Sequence, residues 1–134
     1  MRFPAMMRAD APVPLLAAAV MLALCVNGPA AAGDATAGKA VFNSQCAMCH
    51  TLAAGGPNLL GPNLHGIVGR TAGTTRGYNY SPAMKAAGFA WTKEKLAAYL
   101  PAPTALVPGN KMPYAGLRQP QKVDDLIAYL DAQK

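Results

Sequence analysis

The chain has 134 residues, a length that sets a prior of one domain. It carries 12 Lys and Arg against 6 Asp and Glu, a formal net charge of +6. The cations are scattered singly, with no basic run and no interleaved aromatic platform, which speaks against nucleic acid and for acidic protein partners or a weak hold on an anionic membrane surface.

Arg2 and Arg8 open a positive segment, and Val13 to Val26 is an apolar run of about fourteen residues. That length is within signal-peptide range and short for a membrane span. Ala30-Ala31-Ala32 follows as a small-residue cleavage site. The pattern predicts a leader over residues 1–32 and a mature protein from Gly33; an uncleaved membrane anchor is the competing reading. Cys25 falls inside the run and would leave with it. Leu24 before it is not the small residue that a lipid-attachment cysteine wants. From Gly33 onward ten basic residues face five acidic ones. The apolar fraction of 52% is inflated by the leader.

Asp34 is a candidate helix cap. Gly38, Val41, Phe42, Gln45, Cys46 and Cys49 then recur at i, i+3, i+4 spacing, predicting a helix from about Thr36 to Ala47. Gly38 within it costs on the order of 1 kcal/mol relative to alanine. Close approach of a second helix would justify that cost.

Cys46-Ala47-Met48-Cys49-His50 is the stretch with the most chemistry. Two thiols about one helical turn apart can add to two vinyl groups on one haem edge, and the next residue's imidazole can then ligate the iron. Two other readings compete. A redox dithiol would be expected near a βαβ pattern, and none follows. A zinc site would need two further ligands, and downstream only His65 remains. Haem has a second axial position. The candidates are His65, Met84 and Met112. Met112 lies in the loop Pro108-Gly109-Asn110-Lys111-Met112-Pro113, whose Pro and Gly brackets suit wrapping a haem edge. Met84 reads as helix packing, and a lone loop histidine such as His65 is usually a hydrogen-bonded surface residue.

Residues 51–76 are rich in glycine, with Pro57 and Pro62, and show no sustained period. A structureless stretch of that length is expected only if it packs on something other than a helix, such as a large apolar cofactor. Ser81 as cap, Pro82 at the first position and Gly88 as stop predict a short helix. Thr92 caps the next, with Leu96, Tyr99 and Leu100 on its apolar face and Pro101 as its end. Pro101 to Gly116 reads as loop. A last helix begins near Pro120, with Val123, Leu126, Ile127 and Leu130 as its stripe and Asp124 and Asp125 placed to favour its dipole. There is no strand signal. The fold class is small and all-α, with a core too thin to stand without the cofactor at its centre.

These segments together carry a resemblance. Gly38 with Phe42, Cys46 to His50, Gly61-Pro62-Asn63-Leu64-His65-Gly66, Gly69-Arg70, Gly77-Tyr78-Asn79-Tyr80, Trp91, Tyr99-Leu100, Pro108-Gly109, Lys111-Met112, Ala115-Gly116 and Asp125 to Leu130 recur in order and spacing. From Gly33 to Gln133 the chain resembles the small class I cytochromes c, of the mitochondrial type and its bacterial periplasmic relatives. The resemblance implies one haem c attached through Cys46 and Cys49, with His50 and Met112 as the iron ligands. It implies that the Pro62 carbonyl accepts from His50, that Arg70, Tyr80 and Trp91 bond the haem propionates, that Tyr99 touches the Met112 sulfur, and that Tyr114 stands near the exposed haem edge. Two positions depart from the pattern: Met84 replaces an asparagine, and Asn110 a threonine. Gln45 and Thr104-Ala105 replace lysines of the docking face, leaving Lys111 and Arg118, which implies weaker, less salt-sensitive docking than in the strongly basic relatives.

The reading is a monomeric, periplasmic one-electron carrier, not an enzyme. It would dock transiently with respiratory or photosynthetic complexes or dehydrogenases. A haem enzyme would need an open iron site. A permanent subunit of a complex would need an exposed apolar patch, which scattered single apolar residues do not suggest.

Overall fold

The computed structural model describes residues 32–134, so the leader reading and Cys25 lie outside the described residues. Five helices carry the fold: α1 (Ala35–Gln45), α2 (Pro82–Ala86), α3 (Lys93–Tyr99), α4 (Pro103–Leu106) and α5 (Pro120–Asp131). Among the described residues there is no strand. One isolated antiparallel bridge joins Thr71 to Ala90.

The pair α1 and α5 forms the principal helix contact. Gly38 is the reason they can approach. A Cβ on Gly38 would lie 1.9 Å from the Asp125 carbonyl oxygen and 2.8 Å from the Tyr129 Cβ. The expected helix crossing is present, and glycine is the residue that permits it. One turn further along, the Phe42 and Tyr129 rings pack with centroids 5.9 Å apart. Asp34 caps α1 as expected, its side chain accepting from Thr36 N at 2.8 Å. Its own backbone N–H donates to Asp125 Oδ1 at 2.8 Å.

Asp125 therefore does something other than complement the α5 dipole. It lies beyond the first turn, is buried, and also accepts from Gln121 Nε2 at 2.9 Å. It ties the start of α1 to α5. The apolar stripe of α5 is buried as predicted at Val123, Leu126, Ile127 and Leu130.

The short helices follow their caps. The Ser81 and Thr92 hydroxyls each accept from the third residue on, Met84 N and Lys95 N, at 3.1 Å. Two boundaries differ from expectation. α1 stops at Gln45, because Cys46 leaves helical geometry at φ −122°, so the cysteine motif is a run of turns rather than a helix end. Those turns close through Cys49 N and His50 N, which both donate to Cys46 O, at 3.0 and 2.9 Å. α4 interrupts the stretch read as loop from 101 to 116; Pro103 starts it, and Val107 N closes it on Pro103 O at 3.0 Å. Residues 51–76 hold no helix, as expected.

Candidate functional site

Helices α2, α3 and α5, the cysteine turns and the Met112 loop surround one predominantly apolar cleft of about 300 Å³. Cys46, Cys49, His50, Pro62, Tyr80, Trp91, Tyr99 and Met112 all line it. Arg70 does not. Its guanidinium turns to the neighbouring loop, donating to Asn63 O at 2.9 Å and His65 O at 3.2 Å. Burial lowers its pKa, an effect the Tyr80 phenol opposes. His65 does not line the cleft either, and its Nδ1 lies 3.1 Å from Leu52 O. Met84 is buried and packs into the cleft wall.

His50 is held on both sides. Its Nδ1 lies 2.8 Å from Pro62 O. A carbonyl can only accept, so Nδ1 carries the hydrogen and Nε2 keeps its lone pair. Burial lowers the His50 pKa, with the Pro62 bond opposing, which favours the neutral imidazole. Gly61 lies flat against the ring. A Cβ there would stand 2.3 Å from His50 Cε1, so no side chain fits.

Met112 is held differently. Its backbone N–H donates to Asn110 Oδ1 at 2.9 Å, and the Asn110 amide donates to Val107 O at 2.9 Å. Asn110 thus shapes the turn that presents Met112. The Tyr99 hydroxyl donates to Met112 Sδ at 3.6 Å. Burial first, and Tyr78 second, push the Tyr99 phenol up to about 12. Tyr99 stacks edge-on with Trp91 at 4.8 Å, and Trp91 with Phe89 at 4.9 Å, an aromatic file behind the part of the wall that Trp91 and Tyr99 form. At the mouth, the Lys111 ammonium donates to Asn79 O and lies 5.6 Å from the Tyr78 ring centroid. Tyr114 is half-buried at the cleft, its hydroxyl 3.2 Å from Gln45 Oε1.

The surroundings of the two thiols do not favour a redox pair. Burial, and after it Cys49, raise Cys46 to about 11. Redox dithiols need the opposite, a thiolate stabilised near neutrality. Nor do three His, Cys, Asp or Glu side chains gather as a zinc set among the described residues. Two free thiols, a neutral imidazole with a free lone pair and a thioether, all on one apolar cleft, fit the donor set of a covalently attached haem.

Sequence reasoning missed Asn63. It is 8% exposed and fully bonded. Its Nδ2 donates to Thr51 Oγ1 at 2.7 Å and to Ala53 O at 2.9 Å, and its Oδ1 accepts from His65 N at 2.9 Å. Its backbone N–H donates to Asn58 Oδ1 at 2.9 Å, and its carbonyl receives Arg70. This knot immediately follows Pro62, whose carbonyl holds His50. The segment Gly61 to Gly66 was noticed only as part of a resemblance; nothing in spacing alone marks Asn63.

The expectation of no exposed apolar patch also needs correction. Met48 is 86% exposed and Leu60 78%, and both border this cleft. They lie 12 positions apart in the chain, and the Gly61 N–H to Cys49 carbonyl bond at 2.8 Å brings their segments side by side.

Comparison with known proteins agrees with this geometry. The family model described as Cytochrome c matches residues 35–134. A cytochrome c of Guizotia abyssinica is 48% identical over 103 residues, covering 77% of this chain and 93% of that protein. A cytochrome c2 of Blastochloris viridis is 48% identical over 102 residues, covering 76% of this chain and 80% of that protein. The solved structure of cytochrome cH from Methylobacterium extorquens superposes with a TM-score of 0.70 at 42% identity, covering 75% of this chain and 99% of that one. With its whole helical domain matched and both attachment cysteines present, this chain belongs to the class I cytochromes c, electron carriers with one haem c bound covalently through cysteines.

Proposed function

We propose that this cytochrome is a periplasmic shuttle whose iron is closed on both faces, by His50 and Met112. The observation that carries the reading is that both side chains line one cleft and each is held by a bond from a different element. Pro62 O fixes the His50 tautomer, and the Tyr99 hydroxyl engages the Met112 sulfur. The haem supplies a one-electron ferric/ferrous couple. The chain's part is to keep that couple rigid and dry. Pro62 raises the basicity of the imidazole by drawing on its N–H. The aromatic file of Phe89, Trp91 and Tyr99 excludes water, and a thioether ligand favours the reduced state. Tyr80 and Trp91 line the cleft with polar tips available to the haem propionates. With both His50 and Met112 holding the haem iron, the protein would offer no place for a substrate and would act as a carrier rather than an enzyme.

Residues 1–32 act as an export leader and the mature chain begins at Gly33, monomeric and carrying a surplus of five basic residues. Among the described residues no helix is long and apolar enough to cross a membrane. Partners, whether oxidase, reductase or dehydrogenase, dock transiently, as small redox interfaces do. The visible spectrum of the purified ferric and ferrous protein tests the core of this. A low-spin spectrum with a methionine–iron charge-transfer band, indifferent to carbon monoxide, is expected. A high-spin spectrum or rapid carbon monoxide binding would overturn it.

A further inference from the structure

We propose that the redox partner docks on an apolar lip made by Met48 and Leu60, and that the partner's own docking face is apolar and nearly neutral. The inference rests on the carrier reading above and deepens it.

Among the described residues, the exposed large apolar side chains are Met48 at 86%, Leu60 at 78% and Leu59 at 47%. All three belong to two short segments. The Gly61 to Cys49 hydrogen bond of 2.8 Å fastens those segments together, so Met48 and Leu60 flank one point on the rim. Both side chains border the cleft. Met48 also sits between Cys46 and Cys49, so a protein seated on this lip lies against the edge where the haem is attached. Apolar side chains gathered at the mouth of a functional cleft, rather than scattered, mark an interaction site.

Charge decides what kind of partner fits. Among the cleft-lining residues the only lysine or arginine is Lys111, and no aspartate or glutamate lines it. The Lys111 ammonium is already engaged by the Asn79 carbonyl and the Tyr78 face. Arg118 and Lys122 line a second groove beside α1, which meets the cleft at Ser44 and Gln45 but includes neither Met48 nor Leu60. A strongly acidic face would lose its hydration at the lip and find there a single lysine, already bonded to a carbonyl, to compensate it. A strongly basic face would meet the net positive charge of the whole chain. An apolar, near-neutral face avoids both penalties. Two large side chains with their neighbours make a small contact, which suits an encounter that must also dissociate quickly.

A second copy of the holoprotein presents this same chemistry, so electron self-exchange between its oxidised and reduced forms is the probe, read by NMR line broadening. The variants are Leu60→Thr and Leu60→Lys. Neither alters the Leu60 carbonyl, which accepts from the Tyr78 hydroxyl at 2.8 Å. Losing the apolar contact in Leu60→Thr should slow exchange roughly tenfold at every salt concentration. Leu60→Lys should slow it further at low salt, and recover to the Leu60→Thr rate at about 1 M, where the Debye length is about 3 Å. Met48→Gln should repeat the Leu60→Thr result from the other side of the lip. The visible spectrum reports separately whether the haem site itself has changed in any of them. Exchange at the parent rate in all three variants would overturn the proposal, and so would a slowing accompanied by a changed visible spectrum, which would mean an altered haem site rather than a lost contact. Failure of the carrier reading would show separately, as carbon monoxide binding or the lack of a reversible couple in the parent protein.

Discussion

The two loops that present His50 and Met112 are built to different standards. On the His50 side the chain is knotted. Asn63 makes three side-chain and two backbone bonds, Arg70 clamps the carbonyls of Asn63 and His65, and Gly61 leaves the ring no room to move. On the Met112 side a four-residue helix, a turn pinned by Asn110 and one hydroxyl–sulfur contact at 3.6 Å carry the load. The mouth is closed by a lysine on an exposed carbonyl. Few bonds, and weak ones, mean a low local opening free energy. The two sides should therefore fail in order, the Met112 loop first and the His50 loop only with the whole fold.

Met112→Ala gives the largest effect and tests the weaker side. The haem should remain attached, since Cys46 and Cys49 are untouched. The potential should fall by a sizeable part of the roughly 0.8 V that axial ligands span, and carbon monoxide should bind. Spectroelectrochemistry reads both. An unchanged potential would remove Met112 from the iron and dissolve the comparison.

Asn63→Ala tests the stronger side. It strips three hydrogen bonds from a buried position and leaves Thr51, Ala53 and His65 with unmet groups. The loss should be about 3 kcal/mol of global stability in a guanidinium titration. Exchange of the His50 Nδ1 hydrogen should quicken, because the knot no longer steadies the Pro62 carbonyl. If stability falls and that exchange does not change, Asn63 merely packs. If neither changes, the His50 side is not the rigid one.

The same contrast separates what could be read from the sequence from what could not. Local chemistry was legible. Ser81 and Thr92 cap where their spacing says, Gly38 admits a helix, and the stripe on α5 is buried. The attachment motif is legible because three residue types must coincide in five positions. What escaped depends on contacts made through folding. Asn63 matters through partners up to 12 positions away in the chain. Arg70 donates to two carbonyls of the neighbouring loop, bonds that no spacing in the sequence announces. α4 is too short to show a period. Met48 and Leu60 become neighbours only when Gly61 bonds to Cys49, so a linear scan sees isolated apolar residues. Asp125, read as a dipole partner, is recruited by Asp34 from the far end of the domain.

Tyr99→Phe should give the smallest change at neutral pH and the clearest sign at high pH. Near pH 8 the lost hydroxyl–sulfur contact is worth below about 1 kcal/mol, and the methionine–iron band should weaken before global stability does. Above pH 10 the parent has a further liability. Burial holds the folded phenol at about 12, from an ordinary value of 10. The unfolded chain therefore releases this proton first, and unfolding gains free energy as pH rises from 10 to 12. Below pH 10 both states keep the proton and the difference vanishes. Tyr99→Phe has no proton to lose. Its stability relative to the parent should improve across that window by on the order of 2 kcal/mol. Paired guanidinium titrations at pH 8 and pH 11 isolate the tyrosine, because every other titrating group is common to both proteins. Parallel loss in the two would mean that Tyr99 is not held neutral by its surroundings. The Met112 side would then be looser than a buried phenol requires.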